Sequence, residues 1–297
     1  MEDQPQKDPE SLFRRATRYQ EFGESTAARD TLLEAVKVDP SYAKAWNSLG
    51  LIYQELKELD HARDSFKKAS TLKSEWIDPI ANLGLLEFSE KSYKEAKESL
   101  CRYMELGGKD IEILVVLARA AFQLDDCKTV QKVTSLIIEM EEGIYEAWEM
   151  RGLCHAKQSK FSSALVALNM AVELDPRSVV ALNAVGDLCY EASNYEGAVS
   201  FYEPSLSKRK SQSRILLRHG TSLWFLDRWS DAISFLERYT ELAPDDPAGW
   251  NNLGVALREK GEVTRSIECY KRALKIDPEL AAALNNLETA MYKQVIT

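Results

Sequence analysis

The sequence predicts an all-α fold, an α-solenoid of antiparallel helix pairs, from three observations. Thirteen glycines and nine prolines in 297 residues leave few of the tight turns that an all-β protein needs. Four prolines are separated by multiples of 34 residues: Pro40, Pro176, Pro244 and Pro278. Three tryptophans are spaced by three times this period: Trp46, Trp148 and Trp250. A period of this length indicates a repeat architecture.

One 34-residue register accounts for 272 residues without insertion or deletion. Before it, we expect residues 1–8 to be a disordered polar tail. After it, we expect residues 281–297 to form a helix that caps the open end of the array. The eight repeats comprise residues 9–42, 43–76, 77–110, 111–144, 145–178, 179–212, 213–246 and 247–280.

Large and small residues occupy fixed columns in each repeat. Apolar residues at positions 4, 7, 8 and 11, and again at 20, 24 and 27, have helical spacing, and a short polar break separates the two sets. Position 8 is glycine in six repeats and alanine in two. We expect this small residue to let the backbone of the second helix approach near position 20. Each repeat is therefore predicted to be a helical hairpin.

These columns resemble those of the tetratricopeptide repeat (TPR) family, and the resemblance covers 272 of the 297 residues. It implies a right-handed superhelix of helix pairs. It also implies a concave groove that is lined mainly by positions 2, 5, 6, 9, 12 and 13 of each first helix.

Some segments depart from the pattern. Repeat 111–144 has Thr134 at an apolar column and Asp125-Asp126 at its turn, which indicates either a local bend or ordinary degeneracy. Pro204 lies inside a second helix, which we expect to kink or end early. The basic run after it, Lys208-Arg209-Lys210, is a signal, a site for an acidic partner or a solvated connector.

The C-terminal helix has two predicted faces. The residues expected to pack back onto the array are Leu284, Leu287 and Met291. The residues available to face water are Asn286, Glu288, Lys293 and Gln294.

The sequence shows no catalytic site. It contains no phosphate loop, no dinucleotide fingerprint and no HExxH motif. Two of its three histidines, His155 and His219, fall at packing positions. Five cysteines are odd in number and at least 26 residues apart, which fits neither a disulfide framework nor a CxxC zinc site. We therefore expect no enzymatic activity, no metal and no cofactor.

Charge and hydropathy exclude other classes of partner. The formal net charge is −9, so the surface would repel a phosphate backbone overall. The first ten residues lack the apolar segment of a signal peptide, and no later stretch is apolar enough for a membrane helix. We expect a cytoplasmic protein that binds neither nucleic acid nor membranes.

Candidate peptide-binding residues lie at the groove positions that the resemblance implies. Asparagine amides can donate to and accept from a peptide backbone, arginine can hold a carboxylate, and tryptophan can anchor an apolar group. The main candidates are Arg214, Arg218, Trp224, Asn251, Asn252, Arg258, Asn285 and Asn286. A secondary set comprises Asn47, Asn82, Glu149, Asn183 and Asp187. These side chains either bind a peptide or merely solvate an exposed helical face.

The carboxylate clamp that some members of the family use for acidic chaperone tails is incomplete here. Arg214 and Arg218 match two of its five positions, but the other three hold Glu149, Leu153 and Ala184. Acidic residues in repeats five and six precede these arginines. The sign pattern therefore suggests a partner with a basic segment followed by an acidic one.

The sequence as a whole predicts a non-catalytic scaffold or adaptor that holds an extended segment of a protein or peptide partner. One alternative is a self-assembling protein, a homo-oligomer whose terminal segments dock in a neighbouring copy, which the apolar Val295-Ile296 suggests. Another is the recognition part of a larger enzyme or complex.

Overall fold

The computed structural model describes residues 8–296, and in this range the chain forms seventeen α-helices and no β-strand. The helices belong to two compact units, with the division between Glu142 and Gly143. The predicted all-α fold of antiparallel helix pairs is confirmed. Of the expected disordered tail, residues 1–8, residues 1–7 lie outside the described residues, as do the side chains of Lys293, Val295 and Ile296. The expectation does not hold for Asp8, whose carboxylate accepts from the backbone N–H of Ser11 at 2.9 Å and so caps α1.

The first unit consists of four helix pairs, and each helix packs against the next along the chain. Its helices are α1 (Pro9–Glu21), α2 (Ser25–Val38), α3 (Ala43–Glu55), α4 (Leu59–Leu72), α5 (Ile77–Ser89), α6 (Tyr93–Glu105), α7 (Ile111–Gln123) and α8 (Cys127–Met140).

The second unit consists of four further pairs and one additional helix. Its helices are α9 (Tyr145–Lys157), α10 (Phe161–Leu174), α11 (Val179–Glu191), α12 (Tyr195–Lys208), α13 (Ser213–Phe225), α14 (Trp229–Leu242), α15 (Pro247–Glu259), α16 (Val263–Ile276) and α17 (Ala281–Ile296). The odd-numbered helices, here called the first helices, also pack against one another in sequence from α9 to α17.

Six glycines at position 8 of their repeats make space for bulky side chains of the second helices. A Cβ added at any of them would lie 2.4–2.8 Å from a side-chain atom of the second helix of the same pair. In every case this neighbour is the residue at position 24: Phe66, Leu100, Leu168, Tyr202, Leu236 or Tyr270. Position 8 therefore mainly accommodates the side chain at position 24. The expected approach of the second-helix backbone is seen in two pairs, where Leu168 N lies 3.1 Å from the added Cβ of Gly152 and the carbonyl oxygen of Ala232, at position 20, lies 3.4 Å from that of Gly220.

Replacing Gly254 with alanine is expected to lower the free energy of unfolding by about 1–3 kcal/mol, because the new methyl group would overlap the ring of Tyr270. The ring is fully buried, so it has no free space into which to move. Urea denaturation would measure the change. Gly143→Ala is the matched control, since no atom lies within 4 Å of its added Cβ. Equal stability of the two variants would contradict the prediction.

In the fourth pair, α7 and α8, the residues at positions 8 and 24 also fit each other, but the one at position 8 is larger than glycine and the one at position 24 is smaller than in the other pairs. Its position 8 is Ala118 and its position 24 is the smaller Thr134, and both are fully buried. The Thr134 hydroxyl donates to the carbonyl oxygen of Val130 at 2.8 Å, so its polar atom is satisfied within its own helix. At the turn, the Asp126 carboxylate accepts a hydrogen bond from the backbone N–H of Thr129 at 3.1 Å and so caps α8. These departures therefore form a regular helix pair.

Every turn within a pair contains one residue in the left-handed backbone conformation. This residue occupies position 15 of each of the eight repeats, with φ between 56° and 92°. Two of the eight are glycines, Gly23 and Gly261, and the other six are Lys57, Lys91, Asp125, Ser159, Ser193 and Asp227. A side chain in this conformation costs on the order of 1 kcal/mol, a cost that the packing of the pair offsets.

The expectation that Pro204 would end its helix early is wrong. Helix α12 continues past Pro204 to Lys208 and is as long as the second helices of the neighbouring pairs. The last turn is held by packing, because Ser205 and Leu206 are buried and Leu206 belongs to the core cluster of this region. The Ser207 hydroxyl also donates to the carbonyl oxygen of Pro204 at 2.7 Å.

The predicted faces of α17 also need correction. Leu287 is half-buried and packs against Ile267 and Tyr270, as expected, but Leu284 and Met291 are 43% and 51% exposed. The buried residues of α17 are Ala283 and Ala290. Positions 4 and 11 are filled by a second helix in the other pairs, and in the described residues no helix follows α17. These two positions, Leu284 and Met291, are therefore uncovered.

Candidate functional site

A cavity of about 330 Å³ lies among the first helices α11, α13 and α15 of the second unit. Seven of its lining residues come from these helices, at groove positions 5, 6, 9, 12 and 13: Tyr190, Thr221, Trp224, Phe225, Asn251, Asn252 and Val255. Leu236 of α14 also lines it. Three of the lining residues were candidates from the sequence. The other four residues on the first helices are aromatic or small residues at the same positions. They were not candidates, because the candidates were mainly amides and charged groups.

Side-chain amides next to this cavity form a chain of hydrogen bonds. Asn286 of α17 donates through Nδ2 to Oδ1 of Asn251 at 3.0 Å, and Arg258 donates to Oδ1 of Asn286 at 3.2 Å. Because arginine can only donate, it fixes the Asn286 oxygen on its own side, which leaves the Asn286 nitrogen to face Asn251. Asn252 also lines the cavity, and its oxygen lies 3.5 Å from Nδ2 of Asn251. The predicted residues Asn251, Asn252, Arg258 and Asn286 are thus brought together.

The same bond between adjacent first helices occurs in the first unit. Asn82 of α5 donates through Nδ2 to Oδ1 of Asn47 of α3 at 3.1 Å. In both units the acceptor is at position 5 of one repeat and the donor at position 6 of the next. The bond therefore belongs to the repeat geometry, and it occurs where both columns hold asparagine.

The two predicted arginines of α13 are bound to acidic residues of α11. Arg214 lies 2.5 Å from Oδ2 of Asp187, and Arg218 lies 3.0 Å from its Oδ1. Arg218 also contacts Glu191 at 3.3 Å and stacks over the ring of Tyr190, with its guanidinium carbon 5.1 Å from the centroid. The basic and acidic groove positions of neighbouring repeats therefore neutralise each other. That these arginines hold an acidic partner group stays a prediction.

A buried tyrosine completes this cluster. The hydroxyl of Tyr202, in α12, donates to Oδ1 of Asp187 at 2.7 Å. Burial, together with the neighbouring carboxylate, raises the pKa of Tyr202 well above its usual value. For Arg218 burial acts to lower the pKa, but Asp187, Tyr202 and Glu191 together outweigh it and the pKa is raised. Asp187 thus contacts three donors, the Tyr202 hydroxyl and two arginines that both lie on the first helix α13.

The remaining candidates make contacts elsewhere. The Glu149 carboxylate accepts a hydrogen bond from the hydroxyl of Ser178, which caps α11, and burial raises the pKa of Glu149. Asn183 donates to Oε1 of Gln212 at 2.7 Å and accepts from the hydroxyl of Ser205 at 2.6 Å. Asn285 is exposed. These side chains lie apart from the cavity.

The aromatic residues around the cavity are locked by one another. Phe225 stacks on Tyr195 with centroids 4.1 Å apart and an angle of 3°, and its edge meets Trp224 at 4.5 Å. The indole Nε1 of Trp224 is buried and has no acceptor among the described residues. Phe225 itself is 48% exposed, so this cluster presents an apolar surface to solvent.

Residues 8–296 offer neither of two other classes of site. No group of three or more histidine, cysteine, aspartate or glutamate side chains in this range could hold a metal ion. No helix there has both the length and the apolar character to cross a membrane.

His219, at a packing position, is 1% exposed, and its ring meets Phe235 edge-on at 4.3 Å.

Comparison with known proteins finds curated proteins of similar sequence. Protein FlbA of Caulobacter vibrioides is 27% identical over 194 residues, which are 65% of this chain and 32% of that protein. The chain spans about a third or less of the curated relatives that it matches.

Two solved structures share the fold. YrrB, described as a TPR protein with an unusual peptide-binding site, has a TM-score of 0.56 and 20% identity, over 62% of this chain and 95% of YrrB. MamA has a TM-score of 0.53 and 17% identity, over 58% of this chain and 94% of MamA.

A family model described as "Tetratricopeptide repeat" matches two segments, residues 13–74 in the first unit and 217–281 in the second. Between these segments the described helices continue the same hairpin pattern. Proteins of this family are protein–protein interaction scaffolds, and this class of function is supported here. With its helix pairs and repeat columns, the described part of the chain fits an array of tandem tetratricopeptide repeats.

Proposed function

We propose that this protein is an adaptor that binds an extended segment of a partner protein on the first helices of its second unit. The observation that carries the proposal is the cavity among α11, α13 and α15, with side-chain amides beside it. Extended peptides need both hydrogen bonds for their main chain and pockets for alternate side chains, and these helices offer both. The peptide-binding site described for YrrB, which shares the fold, lends support to this class of ligand.

The amides available to a partner are those that the protein does not use itself. The Nδ2 of Asn252 donates to no described residue, and the side chain of Asn285 has no hydrogen-bond partner among them. Asn251 and Asn286, in contrast, are bound to each other at 3.0 Å. We expect Asn252 and Asn285 to contact the partner's main chain, while the Asn251–Asn286 bond holds α15 and α17 in register.

A random peptide library selected against the full chain tests the proposal. Selected peptides should bind Asn252→Ala/Asn285→Ala at least about tenfold more weakly than the wild type, the loss expected for one or two hydrogen bonds. Glu268→Ala/Lys271→Ala is the matched control, because both residues are exposed on the second helix α16 and their removal leaves the net charge unchanged. Selection of no peptide, or equal losses in both variants, would refute the proposal.

Self-assembly is a second candidate, favoured by the uncovered side of α17. Tyr292 is 72% exposed, beside Met291 at 51%. Light scattering at several concentrations should then show a mass above the monomer, which Met291→Ser/Tyr292→Ser lowers. A constant monomer mass would exclude it. The role as the recognition part of a larger protein also stays a proposal, and we assign no catalytic step to the described residues.

A further inference from the structure

The cavity of the second unit differs from its surroundings in charge. The residues that line it are three aromatic rings, two aliphatic side chains, one threonine and two amides. Burial raises the pKa of Tyr190, so this ring also stays neutral at physiological pH. Within the described part of the chain, the cavity wall therefore has no ionised group.

The charged groups near the cavity already have partners in the protein. Arg218, which covers Tyr190, is bound to Asp187 and Glu191. Arg258, beside the amide chain, is bound to Glu259 at 2.9 Å. A charged side chain that entered the cavity would lose its hydration without gaining a counter-ion, and this loss is unfavourable. The cavity thus offers no counter-ion to an acidic or a basic guest.

The size of the cavity limits the guest to about one side chain. Its volume of about 330 Å³ lies at the lower end of the range for ligand pockets, and three rings form much of its wall. Because Phe225 is stacked on Tyr195 and packed against Trp224, the wall is ordered before a guest arrives. An ordered wall spares a ligand the entropy of arranging it.

The polar atoms of the wall show how the guest's main chain would be placed. The Thr221 hydroxyl is occupied, since it donates to the carbonyl oxygen of Leu217 at 2.8 Å. Asn252 keeps a donor that no described residue uses. The wall therefore offers apolar contact to a side chain and an amide donor to a neighbouring carbonyl oxygen.

We propose that this cavity is the specificity pocket of the adaptor, and that it accepts one uncharged apolar side chain, of leucine to phenylalanine size, from an extended partner segment. The inference rests on the proposed function and goes further, because it names the chemistry of the residue that is recognised. At this site, the main determinant of recognition is then an apolar side chain of the partner, and not the acidic group that the sequence suggested.

Nine-residue peptides of glycine and serine with one central guest residue test the pocket. The guests are phenylalanine, leucine, alanine, aspartate and lysine, and ¹⁵N–¹H spectra of the full chain follow the indole N–H of Trp224 during titration. We expect the phenylalanine or leucine peptide to shift this signal and to bind at least about tenfold more tightly than the aspartate and lysine peptides, as expected for burial of a large apolar side chain. The affinity should change less than about twofold between about 50 mM and about 0.5 M NaCl.

A variant that fills the cavity gives a second test. Asn252→Trp should weaken binding of the phenylalanine peptide about tenfold or more, since the added ring competes for the same space. Lys271→Trp is the control, because it adds the same ring on the exposed side of α16. Unfolding curves of both variants show whether the fold is kept, and the guest series in the wild type does not depend on them.

The outcomes separate the pocket from the adaptor function. If the aspartate or lysine peptide binds as tightly as the phenylalanine peptide, the pocket assignment is wrong, while peptide binding stands. If library-selected peptides bind but never shift the Trp224 signal, the pocket is likewise wrong. If neither guest peptides nor selected peptides bind the second unit, both proposals fail.

Discussion

Replacing Asp187 with alanine is expected to lower the free energy of unfolding by about 2–4 kcal/mol, because it leaves a buried hydroxyl and a half-buried guanidinium without their acceptor. The hydroxyl belongs to Tyr202, which is fully buried and donates to Asp187 at 2.7 Å. The guanidinium belongs to Arg218, whose side chain is 25% exposed and would keep Glu191 as its one carboxylate partner among the described residues. Urea denaturation measures the loss.

A double-mutant cycle assigns the loss to this network. Tyr202→Phe removes the orphaned hydroxyl, so Asp187→Ala/Tyr202→Phe should cost less than the sum of the two single variants. Asp231→Ala is the control, because this residue forms an exposed ion pair with Arg228 and should cost less than about 1 kcal/mol. An Asp187→Ala variant no less stable than this control would show that the network contributes little.

The burial of His219 is expected to make stability fall by about 3 kcal/mol between pH 6.5 and pH 4. Burial, aided by Arg228 and Arg238, lowers the pKa of His219 from 6.5 to about 4 in the folded protein. In this range the unfolded chain takes up a proton that the folded chain does not. The free energy of unfolding therefore declines as the pH falls through 6.5, and the decline ends near pH 4.

The variant His219→Leu isolates this contribution from that of the carboxylates. Leucine fills a similar space without titrating, so the stability of the wild type relative to the variant should decrease by about 3 kcal/mol from pH 7 to pH 4. Denaturant midpoints at several pH values in this interval give the curve. A difference that is constant with pH would mean that the histidine is not held neutral in the folded state.

Much of the fold could be predicted from the sequence because each repeat obeys the same columns. The period and the helical spacing of the apolar columns together predict helix pairs, and the structure has them throughout residues 8–296. Local rules were less reliable where packing opposes them. Pro204 should have ended α12, but buried Leu206 holds the last turn in the core. Leu284 and Met291 follow the apolar spacing of α17, yet both are exposed because no described residue covers that side.

The candidate site was predicted less completely, for a physical reason. Position in the repeat indicates which residues lie on the first helices, but not which of them satisfy one another. Arg214 and Asp187 were both candidates, and only the structure shows them 2.5 Å apart. The cavity wall includes residues such as Tyr190 and Val255. These residues are neither amides nor charged groups, so their chemistry in the sequence does not mark them as binding residues.

The hydrogen bond between Asn251 and Asn286 has a direction, and this direction gives the site a chemical preference. In an isolated asparagine pair, both amides can rotate through a half-turn, which exchanges the donor and the acceptor. Here Arg258 prevents this rotation, because it can only donate and therefore requires the oxygen of Asn286 on its side. The amides of Asn251 and Asn286 are therefore locked, with both oxygens used inside the protein, and the Nδ2 of Asn252 beside them is a donor that no described residue uses.

In the first unit, position 12 of the repeat that contains Asn47 is Gln54, which can donate or accept. The Asn47–Asn82 pair therefore has no such lock at this position. The two units carry the same pair of side chains, yet the pair in the second unit is fixed in direction by Arg258, whereas the corresponding position in the first unit holds a side chain that can donate or accept.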